Sequence, residues 1–274
     1  MSAQVPSRVG AGWNELRAAE ALRHVGLIGV AALVTGVLVG GIGGRIFMRI
    51  SAMIAPDRAV GALTEAGALV GEITFGGSLA FILFIGVFAG GAGAVIYTIS
   101  EPWLAWAGPL RGLVFGVFLL AVGSIAILDP ANFDFGILGN DPRNVIMLIV
   151  LYLAFGPILV GLLGVFDRRL PAVDPKRPID SIPGYIAMVV GGVLFLAAVL
   201  GNLFVESFCE CHPPRLMGLF TIGMLLSTAA WWLPGLRDPE GVPSRYVMFL
   251  GYATTVGAFA AGTIRAISDI RHLL

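Results

Sequence analysis

Charged residues are scarce in this chain, and their scarcity is the first constraint on its fold. They make up 12% of the 274 residues, whereas soluble domains carry roughly 25%. Hydrophobic residues make up 57%, which is more than one soluble core would hold in a chain of this length, so lipid is the expected surroundings. The formal net charge is zero, which gives no reason to expect a nucleic-acid partner.

Cysteine and histidine are also rare, and this excludes several classes of protein. Two cysteines in one short loop cannot form a disulfide framework. The three histidines lie at the ends of apolar runs or in loops, which excludes bis-histidine haem ligation inside the membrane. No P-loop, GxSxG, HExxH or Asp-rich prenyl-diphosphate motif is present. The sequence therefore identifies no cofactor and no catalytic residue.

Charge-free apolar runs predict an all-α polytopic transmembrane helix bundle of about seven spans. A helix needs about 20 apolar residues to cross the hydrocarbon core, and none of the runs alternates as a barrel strand does. The runs cover residues 25–44, 73–100, 112–128, 144–166, 181–205, 216–236 and 246–264.

Four segments make up the predicted organisation. Residues 1–24 read as an N-terminal amphipathic interfacial helix, with Asn14 as its cap and Trp13 at headgroup level. Residues 25–166 form a four-span bundle and residues 184–274 a three-span bundle. Between them, the charged segment 167–183 contains four prolines, which prevent a continuous helix.

The distribution of basic residues predicts the orientation in the membrane. With the N-terminus in the cytoplasm, ten Lys and Arg residues fall inside and seven outside, which favours N-in and C-out. Sixteen arginines against one lysine, with abundant Gly and Ala, point to GC-rich codons and a bacterial source. The predicted location is the bacterial cytoplasmic membrane, with the lipid bilayer as the first partner.

Small residues are spaced for close helix contacts. Gly36, Gly40 and Gly44 stand four apart on the first span, as do Gly86 and Gly90 on the second. Such stripes let two backbones approach closely in lipid. We expect them to pack helices within one chain, and dimerisation is the alternative.

The predicted ligand-binding cluster comprises Arg45, Arg49, Glu65 and Glu72. The two arginines are four apart on one helix face, and apolar residues continue to Ile54 beyond them. The glutamates lie in a segment, 60–73, that is too short to span and is predicted to form a re-entrant or interfacial helix. Since a buried arginine demands a partner, we expect the arginines to face the glutamates.

Several interpretations of this cluster stay open. The arginines lie about 30 Å along the helix from Val25, so they could snorkel to the far headgroups. The cluster could be a structural ion pair, a site for an anionic headgroup, or the source of an acid.

A resemblance accompanies these residues. The Arg-rich end of the first span, the run TEAGALVGEITFGG at Thr64–Gly77, Trp103-Leu104, residues 109–112 and Asn132-Phe133-Asp134 resemble a group of bacterial multi-pass membrane proteins of unknown function. The resemblance covers residues 36–134 and implies a helical membrane fold. It implies no activity, and the last three spans lie outside it.

Cys209, Cys211 and His212 form a second candidate site. Two thiolates and one imidazole within four residues suit a soft metal such as zinc or copper. Glu206 or Glu210 would supply the fourth ligand, and the spacing is one residue short of a haem-attachment motif.

Two loops hold further polar residues. Asp129, Asn132 and Asp134 do not match the spacing of a calcium loop. Asp141-Pro142 is typical of the cap and first residue of a helix.

Three functions fit these features. The first is binding, with transport as an extension, of a small or lipid-like molecule at the Arg/Glu cluster. The second is an accessory or structural subunit of a larger membrane complex with other membrane subunits as partners. The third is a membrane-embedded enzyme that uses Glu65 or Glu72 as a general acid on a hydrophobic substrate.

Overall fold

The computed structural model describes a bundle of long apolar helices. It describes residues 12–59, 61–63, 69–70, 72, 74–124, 137–138, 141–170, 186, 189–190, 193, 215–237 and 243–273. The helices are α1 (Gly12–Thr35), α2 (Gly44–Ile54), α3 (Phe75–Leu104), α4 (Arg111–Gly123), α5 (Pro142–Arg169), α6 (Arg215–Arg237) and α7 (Arg245–Leu273). A π-helical segment, Gly36–Gly43, joins α1 to α2 without a break.

Apolar side chains cover much of the outside of these helices, as lipid requires. Phe84 on α3, Leu219 on α6 and Phe249 on α7 are exposed. Among the described residues, four helical stretches are long and apolar enough to cross a membrane, namely Glu20–Ile54, Phe75–Gly123, Pro142–Arg169 and Arg245–Leu273, with a shorter one at Leu219–Leu233. The all-helical membrane fold predicted from the sequence is confirmed.

A sharp turn divides the stretch Phe75–Gly123 into two antiparallel helices. Gly108 has a positive φ of 52°, which glycine adopts without strain, and the chain reverses there. Across the turn, Arg111 donates to Glu101, and the rings of Tyr97 and Phe115 meet edge to face at 4.9 Å. These pairs align α3 against α4.

The predicted count of seven spans is not confirmed. Most of the predicted fifth span, 181–205, lies outside the described residues, although Ile186, Val189, Val190 and Val193 are helical. The loop 129–134 and the charged segment after Leu170 also lie outside them.

Close approach of glycine backbones holds the helices together. A Cβ atom on Gly36 would collide with the backbone of Gly86 and Gly90, and one on Gly90 would lie 2.7 Å from the carbonyl oxygen of Ala32. The packing within the chain predicted for these glycines is confirmed. A second contact of this kind joins α4 to α5, where a Cβ on Gly112 would lie 2.8 Å from the Cα of Pro157.

Some buried hydroxyl groups donate to carbonyl groups of their own helix, which satisfies them without water, and others donate to a neighbouring helix. Thr35 donates to the carbonyl of Ala31 at 2.7 Å, and Thr255 donates to that of Gly251 at 2.7 Å. Among the described residues, Trp103 is the largest fully buried side chain. Its Nε1 donates to Thr228 Oγ1 at 2.9 Å, and Thr228 donates to the carbonyl of Ile99 at 2.7 Å.

Two predicted elements differ from the structure. Helix α1 continues from Gly12 to Thr35 with no break at residue 24, so residues 12–24 are the start of a longer helix. The short helix predicted over 60–73 was wrong for the described part of that segment: Gly61 has a φ of 78° and Leu63 pairs with Leu69 in an isolated antiparallel bridge. The helix is predicted to begin after Thr64 as its cap, and the bridge at Leu69 falls within that range.

The cap predicted at the start of α5 is confirmed. The Asp141 side chain accepts a hydrogen bond from the backbone N–H of Arg143 at 2.8 Å, and Pro142 is the first helical residue.

Candidate functional site

Polar side chains gather at the two ends of the bundle. One end, here the Arg45 end, contains the start of α3 and α5 and the end of α7. The other, the Glu101 end, contains the end of α3 and α5 and the start of α4. Ser78 and Glu101 are 23 residues apart on α3, or about 35 Å, so both ends lie near the boundaries of a hydrocarbon core of about 30 Å.

At the Arg45 end, the Arg45 side chain is half-buried beside the first turn of α3. Its Nε donates to Ser78 Oγ at 3.1 Å. Its terminal nitrogens, Nη1 and Nη2, have no hydrogen-bond acceptor among the described residues. Ser78 is neutral, so the charge of Arg45 has no counter-charge in this part of the chain.

Helix α3 begins next to this guanidinium. The Thr74 side chain caps the helix and accepts from the N–H of Gly77 at 3.1 Å. A Cβ on Gly76 would meet nothing within 4 Å, so the first turn is open. The N-terminus of a helix carries partial positive charge and unpaired N–H groups, which favour an anion.

An apolar stripe runs along α2 beside Arg45. Ile46, Ile50 and Met53 share one face and are exposed by 56%, 40% and 72%. Arg49 lies on the edge of this face and is exposed. A cation next to an exposed apolar stripe matches the two parts of a lipid, its headgroup and its chain.

The glutamates do not complete the predicted cluster in the described part. Glu72 is exposed, and no ion pair joins it to Arg45 or Arg49. The predicted pairing of Glu72 with the arginines is therefore not seen in the described part, where the N–H of Gly61 donates to the carbonyl of Val70 and the N–H of Val70 donates to that of Ala62. Glu65 lies outside the described residues.

The predicted metal site cannot be placed. Cys209, Cys211 and His212, with Glu206 and Glu210, all lie outside the described residues. Within the described ranges, no group of three or more His, Cys, Asp or Glu side chains is arranged to hold a metal ion.

At the Glu101 end, the structure assembles a charged cluster that was not predicted. Glu101 on α3 is 15% exposed at its side chain. Its Oε2 lies 2.8 Å from His24 Nε2 on α1. Its Oε1 accepts from Arg111 on α4 at 3.1 Å and from the Tyr97 hydroxyl at 3.5 Å. One carboxylate thus joins three helices.

Arg23, the neighbour of His24, extends this cluster to α5. Its side chain is 6% exposed and its Nη1 lies 3.0 Å from Asp167 Oδ1. Its Nη2 donates to the backbone carbonyls of Asp167 at 3.3 Å and Leu170 at 2.7 Å. These carbonyls belong to the end of α5, where helical partners are missing, so Arg23 caps that helix.

Aromatic side chains mark the Glu101 end as a membrane boundary. All four tryptophans whose side chains are described lie there. Trp106 is 68% exposed and Tyr246 is 87% exposed. The Trp232 ring lies 6.1 Å from that of His24. Tryptophan and tyrosine are enriched at headgroup level, so the cluster faces the interface rather than the bilayer centre.

Two cavities in the described part lie away from both clusters. One, of about 360 Å³, runs along α7 past Ile264, Ser268 and His272. The other, of about 270 Å³, is apolar and lies between α3, α4, α6 and α7, beside Ile99 and Met224. Arg45 lines neither of them, and its guanidinium is reached from the open surface.

Sequence reasoning missed Glu101 because it stands one position beyond the predicted span 73–100, where a single charged residue is expected for a helix end. A signal was present: Glu101 is the only acidic residue between Glu72 and Asp129. Isolated acids in such a run are costly unless they are paired. The partners on α1 and α4 could not be identified without the three-dimensional arrangement.

Comparisons add no relative to this picture. No protein-family model, curated protein or solved structure matches the chain.

Proposed function

We propose that this membrane protein binds a small or lipid-like molecule carrying a negative charge, at Arg45 near one membrane face. The single observation that carries the proposal is the half-buried Arg45 guanidinium, whose terminal nitrogens have no acceptor among the described residues. A cation beside apolar surface is costly without a counter-charge. The ligand supplies that charge.

The neighbouring groups favour the same chemistry. The Ser78 hydroxyl accepts a hydrogen bond from Arg45 Nε. This bond does not use the terminal nitrogens Nη1 and Nη2, which can therefore donate to a ligand. The open first turn of α3 contributes helix N–H groups from Phe75 and Gly76. A phosphate or carboxylate there would meet both the guanidinium and the helix terminus, while its apolar part lies along Ile46 and Ile50.

Binding to anionic lipid is tested with protein purified in mild detergent. Native mass spectrometry measures the retention of short-chain phosphatidic acid, with phosphatidylcholine as the ligand without net charge and inorganic phosphate as the ligand without a chain. Arg45→Gln is expected to weaken binding of phosphatidic acid at least about tenfold, since a hydrogen bond to a charged group is worth about 1.5–3 kcal/mol.

Arg143→Gln is the matched control. Arg143 lies at the same end of the bundle, and its guanidinium is held by Asp141 at 2.6 Å, so its loss is expected to leave lipid binding unchanged. Equal losses in both variants, or no preference for the charged lipid, would overturn the proposal. A preference for inorganic phosphate would make the ligand a small anion.

Transport is the extension of this proposal. It predicts that proteoliposomes move the anion that binds, and that Arg45→Gln slows this movement. The enzyme alternative gains no support from the described residues, because Glu72 is exposed and lines neither cavity.

A further inference from the structure

We infer that His24 and Glu101 form a binding site for one proton at the end of the bundle opposite Arg45. The inference is independent of the anion site, because residues 24 and 45 are about 30 Å apart along the helix. It starts from the contact between His24 Nε2 and Glu101 Oε2 at 2.8 Å.

That contact requires a hydrogen atom between the two groups. A carboxylate oxygen and an imidazole nitrogen at 2.8 Å attract each other only when one of them donates. Oε1 of the same carboxylate already accepts from Arg111 and Tyr97, whereas Oε2 has His24 as its partner in the described residues. The second ring nitrogen of His24 is then the position where an additional proton is gained or lost.

Exposure gives this proton a route. Glu101 is 15% exposed, and the His24 side chain is 32% exposed, so the imidazole lies between solvent and the carboxylate. Tyr97 beneath them is fully buried. The more exposed His24 ring is therefore where the site exchanges its proton with the interface.

The charges around His24 favour the extra proton. From α1 come Arg23 and Glu20, from α3 Glu101, from α4 Arg111, and from α5 Asp167. These two guanidinium groups and three carboxylates carry a net charge of −1 when His24 is neutral. One more proton on His24 brings the net charge of the cluster to zero. Arg168 and Arg169 are exposed and make no ion pair with this cluster, and α6 contributes the neutral Trp232.

Histidine NMR tests the site directly, because the chain has only three histidines. The full-length protein in detergent is labelled at histidine, and His24→Gln and His272→Gln assign the ring signals. Imidazole rings titrate between about pH 5 and 8. In the wild type, the midpoint of the His24 titration is expected to be displaced from the ordinary histidine value, because the Glu101 carboxylate lies 2.8 Å from its ring.

Glu101→Gln is the decisive variant, since it keeps an oxygen near His24 but removes the charge. It is expected to move the His24 midpoint toward the ordinary histidine value. If the His24 midpoint is the same in wild type and Glu101→Gln, the inference is wrong.

Stability supplies the second readout. The thermal midpoint of the wild type is expected to vary with pH over the histidine range more than that of Glu101→Gln, while His272→Gln follows the wild type. Arg45→Gln should leave the His24 titration unchanged, so failure of one proposal is distinguishable from failure of the other.

Discussion

Replacing Gly156 by alanine is expected to push helices α4 and α5 apart. A Cβ atom at Gly156 would collide with the carbonyl oxygen of Gly112 and the backbone nitrogen of Gly116. Both are backbone atoms of α4, which cannot rotate away as a side chain can. The two helices must therefore separate, and the contacts that Gly112 and Gly116 make with Pro157 and Leu153 are lost in part.

The size of the effect follows from two opposing terms. Overpacking a well-packed interior costs about 1–3 kcal/mol. Alanine in place of a helical glycine stabilises the helix by at most about 1 kcal/mol. At Gly156 the first term dominates. At Gly161, one and a half turns further along α5, a Cβ would meet nothing within 4 Å, so only the second term operates.

The two variants are expected to change the free energy of unfolding in different directions. Reversible unfolding in mixed detergent, followed by circular dichroism, measures the free energy of unfolding of Gly156→Ala and Gly161→Ala against the wild type. Gly156→Ala is expected to lower it by up to about 2 kcal/mol once the full alanine gain is subtracted from the overpacking cost, and Gly161→Ala to leave it unchanged or raise it. Equal stability of the two variants would refute the reasoning.

Two further outcomes are expected. Thr228→Val leaves the fully buried Trp103 Nε1 without its acceptor, so the free energy of unfolding should fall by about 1–3 kcal/mol. Thr263→Val is the control and should change the free energy of unfolding little, because the Thr263 hydroxyl has no hydrogen bond to the described residues. The Arg143 guanidinium and, to a smaller extent, the Arg143 backbone N–H lower the pKa of Asp141 from 3.8 to about 2. The Asp141 cap therefore contributes its full stability above the ordinary pKa of 3.8 and loses it as the pH falls to about 2. Protection against hydrogen exchange at the start of α5, measured relative to the intrinsic rate at each pH, should therefore fall only in strong acid, and in Asp141→Ala it should be low throughout and show no such acid step.

The sequence predicted the elements that depend on local pattern. The length of the apolar runs gave helices of spanning length, and the spacing of Gly36, Gly86 and Gly90 gave their packing, because helical periodicity and side-chain size are both readable along the chain. The cap at Asp141 is a local hydrogen bond and was predicted for the same reason.

Pairings between distant segments were not predictable in this way. Glu72 is predicted to face Arg45 because a buried arginine demands a partner, yet in the structure Glu72 is exposed and makes no ion pair with Arg45. Glu101, His24 and Arg111 come together only because α3 and α4 reverse at Gly108 and α1 packs beside them. No spacing along the chain encodes that meeting.

The π-helical segment Gly36–Gly43 sets the direction in which Arg45 points. Its i→i+5 bonds accommodate extra residues, and each one rotates everything that follows by about 100° relative to an uninterrupted α-helix. A helical wheel drawn through residues 25–54 therefore puts Arg45 and Arg49 on the wrong side. Deleting one residue from this segment would rotate both arginines around the helix axis while leaving the composition of the span almost unchanged. The side of the first membrane helix on which the arginines lie therefore depends on this segment, with its four glycines, rather than on the charges themselves.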